Sequence, residues 1–92
     1  MMYTVNERFE WDSAKARRNA AKHGVGFKEA MTAFNDPDSL IASDVVHSHQ
    51  EPRDWLVGRS TSGQILIVVY TDRPGPMIRI ISARPANRND RA

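Results

Sequence analysis

The run ILIVVY at 65–70 constrains this chain more than any other stretch of it. Strand side chains alternate between two faces, so a strand with one wet face reads apolar, polar, apolar. Six apolar residues in a row, most of them β-branched or aromatic, need cover on both faces and a partner on each edge. ILIVVY therefore belongs in the middle of a sheet, and the rest of the chain has to supply its neighbours. Thr61-Ser62-Gly63 is a hairpin signal that joins Gln64–Thr71 to a preceding strand over Arg53–Ser60. Asp72-Arg73-Pro74-Gly75-Pro76 turns the chain into a last strand over Met77–Ala83, and Ser39–Ser43 reads as one more.

Upstream of residue 35 the period changes. Asp12 or Ser13 caps a helix over AKARRNAAKH, which Gly24 closes. Phe27, Ala30, Met31 and Phe34 recur at helical spacing and mark a second helix that Asn35-Asp36-Pro37 ends. FEWD at 9–12 alternates and suits a short edge strand. The expected fold is α+β, with two N-terminal helices packed on one face of a small antiparallel β-sheet. With 92 residues the chain is expected to be one domain over 1–92.

Charge is unevenly spread. Residues 1–34 carry six basic and four acidic groups, 35–54 one basic and five acidic, and 55–92 six arginines and two acids. Cations that are all arginine suit planar recognition of phosphate or carboxylate, although surface arginines also serve solubility. The chain has no cysteine, which removes a disulfide framework, a thiolate zinc site and a cysteine nucleophile. MMYTVNERFEW lacks an apolar run of signal-peptide length, and no segment approaches the ~20 apolar residues of a membrane span. A soluble, cytoplasmic protein is the expectation.

Several side chains invite a chemical role. Lys15, Arg18 and Lys22 form a basic stripe on the first helix. His23 in its last turn is either a residue satisfied by the helix dipole or a proton-transfer group near neutrality. His47, His49 and Glu51 lie two apart, a weak metal pattern that Pro52 interrupts. Arg53, Trp55, Val57 and Arg59 share a strand face, and two arginines around an indole can clamp phosphate and stack a base, unless Trp55 is core. In MIRIISARPANR, strict alternation puts Arg79 with Ile81 and Ala83, and Arg84 on the other face with Ile78, Ile80 and Ser82.

Taken together, FEWDSAKARRNAAKHGVGF, the Glu51-to-Gly58 pattern E-P-R-x-x-x-V-G, VVYTDR and IRIISARPANR resemble the BrnT family of type II toxins, small ribonucleases of the RelE-like superfamily. The resemblance spans about residues 9–88 and implies an endoribonuclease that cleaves RNA without a metal or other cofactor. It also implies a cognate antitoxin of the BrnA type that binds and neutralises the toxin; the modest core of a 92-residue chain separately makes a homodimer or a toxin–antitoxin hetero-oligomer a reasonable way to gain burial. The family's recurring positions fall on Lys15, Asn19, Lys22, His23, Gly24, Glu51, Arg53, Arg79, Ser82 and Arg84. Pro52 departs from the charged or polar residue more usual inside the Glu-x-Arg pattern.

Metal-free cleavage would use the 2′-hydroxyl as nucleophile and leave a cyclic phosphate. Arg53 and Arg79 are then the candidates for neutralising the phosphorane, with His23 or Glu51 for acid–base work. Lys22, Arg84, Lys15 and Trp55 are the candidates for holding RNA. A different class of function, a non-catalytic nucleic-acid- or protein-binding module on the same scaffold, predicts RNA affinity without cleaved product.

Overall fold

The structure, a computed structural model, describes residues 3–6, 8–46 and 51–87. Its elements run β1 (Tyr3–Asn6), β2 (Phe9–Asp12), α1 (Ser13–His23), α2 (Phe27–Ala33), β3 (Leu40–Ser43), β4 (Asp54–Arg59), β5 (Ile65–Arg73) and β6 (Met77–Pro85). The fold is α+β, built on a six-stranded sheet of order β1-β2-β6-β5-β4-β3. ILIVVY forms most of β5, flanked by β4 and β6 as its composition requires.

Helix α1 begins where expected. The Asp12 carboxylate accepts from the backbone N–H groups of Ala14 and Lys15, satisfying donors that the first turn leaves open. It ends at Gly24, whose φ of 71° is the left-handed conformation that a side chain would strain, and whose N–H returns to the Ala20 carbonyl. Phe27, Ala30 and Ala33 of α2 meet Leu56, Leu66, Val68, Tyr70, Ile80 and Ala83 in one core, together with Phe9, Trp11 and Val25. Phe34 packs edge-to-face between Phe9 and Tyr70, so the short second helix is held by aromatic contacts as well as by alanines. Gly58 lets α2 lie directly against β4, since a Cβ there would lie 2.7 Å from the Ala33 carbonyl oxygen.

The sheet differs from the expected antiparallel one in two respects. It is mixed, because β2 runs parallel to β6, pairing Phe9 with Ile78 and Glu10 with Arg79. In addition β2 is not an edge, since β1 covers its other side. A parallel pair joins segments far apart in sequence, so no local period announces it.

A further difference lies within β6. Val69 pairs with Ser82 but Tyr70 pairs with Ile80, so Ile81 is an extra residue and the strand bulges there. A bulge shifts alternation by one position. Ile80 and Ala83 consequently share the core face, while Arg79 and Arg84, opposite Thr71 and Ile67, share the other. The strict alternation expected for this strand, which separated the two arginines, does not hold.

Candidate functional site

The sheet face turned away from the core carries Trp55 and Val57 of β4, Ile67 and Val69 of β5, and Arg79, Ser82 and Arg84 of β6. A cleft of about 260 Å³ opens on it, lined by Asp44, Arg53, Trp55, Ile67, Val69, Ile81, Ser82 and Arg84. Its construction follows from the elements beneath. Ile67 and Val69, the half of ILIVVY that the core does not use, form an apolar floor with the bulged Ile81. Trp55 stands on the neighbouring strand, 39% exposed and outside the core cluster, so the indole is a wall and not a core residue. Arg53 enters just ahead of β4, with its Nε shielded from solvent, and its carbonyl accepts from the N–H of the buried Asp44 at 2.8 Å. Arg84 reaches the cleft because the bulge has turned it to this face.

Pro52 fits its place through its acceptor. Its carbonyl takes a hydrogen bond from Thr71 Oγ1 at 2.5 Å, a contact that needs no backbone donor at position 52. Glu51, next in line, pairs with Arg73 at 3.8 Å.

Arg79 sits on the same face as the cleft but is engaged elsewhere. Its Nε and Nη2 both donate to Glu10 Oε2, at 2.9 and 2.7 Å, and its guanidinium lies 4.7 Å from the centre of the Tyr3 ring. The Glu10 hydrogen bond, partly opposed by burial, raises its pKa further above the ordinary arginine value, so the charge is permanent. This cluster ties β1, β2 and β6 together where β2 and β6 run parallel.

Of the residues singled out in the sequence, Arg53, Trp55 and Arg84 line the cleft together. Arg79 and Glu51 lie outside its lining, and so do Lys15, Lys22 and His23, which belong to α1. His47 and His49 fall outside the described residues, so the metal pattern that includes them does too. Asp44 is the lining residue that sequence reasoning missed; it stood in an acidic stretch with nothing to mark it. Ser82 was marked only as a recurring position of the family.

Asn19, another such position, is buried and structural. Its Nδ2 donates to the carbonyls of Val25 and Ala83 at 3.1 and 2.7 Å, and its Oδ1 accepts from the Ala83 N–H at 3.1 Å. The described pairing of β2 with β6 reaches only Ile78 and Arg79. Beyond it the Asn19 carboxamide takes both main-chain groups of Ala83, as a neighbouring strand would.

Residues 11–90 match the model of a protein family, the ribonuclease toxin BrnT of type II toxin–antitoxin systems. The chain belongs to the BrnT family. The crystal structure of the Brucella abortus ribonuclease toxin BrnT has the same fold, with a TM-score of 0.66 and 21% identity over 85% of this chain and 94% of that one. No curated protein matches. Membership in BrnT makes RNA the substrate class and an antitoxin the partner. Among the described residues no helix is long and apolar enough to cross a membrane.

Proposed function

We propose that this BrnT-family chain is a metal-independent, RelE-like endoribonuclease whose RNA site is the cleft between Trp55 and Arg84. The observation that carries the proposal is the convergence of Arg53 and Trp55, at the start of β4, with Arg84, near the end of β6, on one cleft with an apolar floor. A basic, aromatic-walled cleft matches single-stranded RNA: guanidinium groups meet phosphate oxygens and the indole stacks on a base. In the reaction the 2′-oxygen bonds to phosphorus, the 5′-oxygen leaves, and a 2′,3′-cyclic phosphate remains. Two fixed positive charges at the cleft favour the extra negative charge of the phosphorane. Arg79 lies on the same face and would add its charge to the phosphorane by exchanging Glu10 for phosphate, and Glu51 or His23 serves in acid–base work. Lys15 and Lys22 extend the RNA-binding surface along α1. Cleavage of cellular RNA in the cytoplasm arrests growth, and an antitoxin of the BrnA type relieves it.

The test is cleavage of RNA by the purified chain with and without EDTA, beside Arg53→Ala, Arg84→Ala and Trp55→Ala, each checked for folding by circular dichroism. Loss of one positioned donor is expected to slow cleavage by about 10²–10³-fold. Cleavage abolished by EDTA would refute metal independence. Full activity in all three variants would move the site elsewhere, and RNA binding without product would make the chain a binding module.

A further inference from the structure

The sheet ends at β3, an edge strand of four residues. LIAS carries no charge and no proline, and its side chains are exposed, Leu40 by 72% and Ile41 by 63%. Just beyond it Val45 and Val46 are 81% and 70% exposed. Open strand edges in monomers are commonly shortened, charged, bulged or covered, because their free N–H and C=O groups template pairing with another chain. Here the exposed apolar residues concentrate along the edge itself.

The geometry identifies which main-chain groups are open. Asp44 donates its N–H to the Arg53 carbonyl, so Asp44 and Arg53 are a hydrogen-bonded pair of the antiparallel ladder. Such pairs alternate along a ladder. Ala42 opposite Trp55 and Leu40 opposite Val57 are therefore hydrogen-bonded to β4, while Ile41 and Ser43 turn their N–H and C=O groups outward. Open groups on alternate residues are what an added antiparallel strand requires.

We infer that the occupant of this edge is β3 of a second copy of the chain. In a two-fold register centred on Ala42, Ile41 of each copy faces Ser43 of the other, so outward donors meet outward acceptors. Ala42 then faces its own counterpart in a non-hydrogen-bonded pair, where Cα atoms approach to about 4.5 Å and a methyl group suits the close contact. Leu40 falls opposite Asp44, and Asp38 opposite Val46, so no two acidic residues of the edge oppose each other. A register centred one residue earlier, on Ile41, would set Asp38 against Asp44. The two-fold axis stands perpendicular to the sheet, so both copies present their cleft faces on the same side. Asp44, Arg53 and Trp55, which lie near this edge, bring the two clefts close to the axis.

The chain contains no cysteine, which makes the register directly testable. Ala42→Cys, oxidised in the full-length chain, is expected to give a covalent dimer, because facing Cα atoms about 4.5 Å apart fall within disulfide range. Ile41→Cys and Ser43→Cys, displaced from the axis, are expected to crosslink far less. Sedimentation equilibrium from micromolar to millimolar chain should show a reversible dimer. Ile41→Lys should weaken it at least about tenfold by charging the edge. Ser43→Pro should do the same by removing an outward donor that β4 does not use. Val5→Lys on β1, the opposite edge, should leave association unchanged, and circular dichroism checks the fold of each variant. A monomer throughout this range, or a dimer indifferent to both β3 variants, overturns the inference. So does hydrogen exchange at Ile41 and Ser43 that slows only when the cognate antitoxin is added, which would give the edge to the antitoxin.

Discussion

Replacing Asn19 by alanine should destabilise this protein more than its modest size suggests. The side chain is 8% exposed and makes three hydrogen bonds, two to Ala83 and one to Val25. Truncation leaves the Ala83 N–H and two carbonyls without those partners in a buried position. At a net value of about 1 kcal/mol per bond the loss is about 3 kcal/mol, which for a domain of this size lowers Tm by roughly 12–24 °C. The assay is urea unfolding followed by far-ultraviolet circular dichroism, with the slope compared between variants to show that the unfolded reference is unchanged. Asn19→Asp should cost at least as much at neutral pH, because a carboxylate cannot donate and would face two carbonyl oxygens. A loss below about 1 kcal/mol for Asn19→Ala, with the slope unchanged, would refute the idea that the carboxamide stands in for a missing strand. It would mean that water or a relaxed main chain satisfies Ala83 equally well.

Two further outcomes follow from the packing and the carboxylates. Gly58→Ala would place a methyl group 2.7 Å from the Ala33 carbonyl oxygen and 3.1 Å from Leu56 Cδ2. It should cost about 1–3 kcal/mol, read from the same urea midpoint. The Asp36 carboxylate accepts from the backbone N–H groups of Arg59 and Asp38, and these bonds hold its pKa below the usual 3.8. For Asp12 partial burial pushes upward, but the amides of Lys15 and Ala14 and the charges of Arg18 and Lys15 outweigh it. Both groups thus have folded pKa values below their unfolded ones, so the stability they contribute is present above about pH 4 and is lost as the pH falls through the folded values. Stability measured from pH 6 down to pH 2 should decline in that acid window, and Asp36→Asn should flatten the decline.

The helices were legible because their signals are local. Asp12 caps, Gly24 closes, and of the stripe Phe27, Ala30, Met31 and Phe34 the first two enter the core and the other two pack against it, all within a few residues of one another. The central place of β5 was legible for a related reason, since no other position tolerates apolar residues on both faces. What those residues meet on the second face was not legible. Leu66, Val68 and Tyr70 enter the core as composition implies, but Ile67 and Val69 floor a cleft whose other walls come from β4, β6 and the segment around Asp44.

The sequence by itself determined the helix ends, the turns, the centre of the sheet and, through its combined motifs, membership in the BrnT family. Each of these rests on residues close together in the chain or on a pattern read along it. Tertiary structure alone decided which cations share a surface. Alternation counts residues and cannot count a bulge, so Arg79 and Arg84 were separated on paper although Ile81 turns them to the same face. The parallel pairing of β2 with β6 then gave Arg79 a carboxylate partner 69 positions away in the chain, while Arg84 joined Arg53 and Trp55 in the cleft. The difference between a tied arginine and one lining the cleft lies in long-range register, which no local pattern encodes.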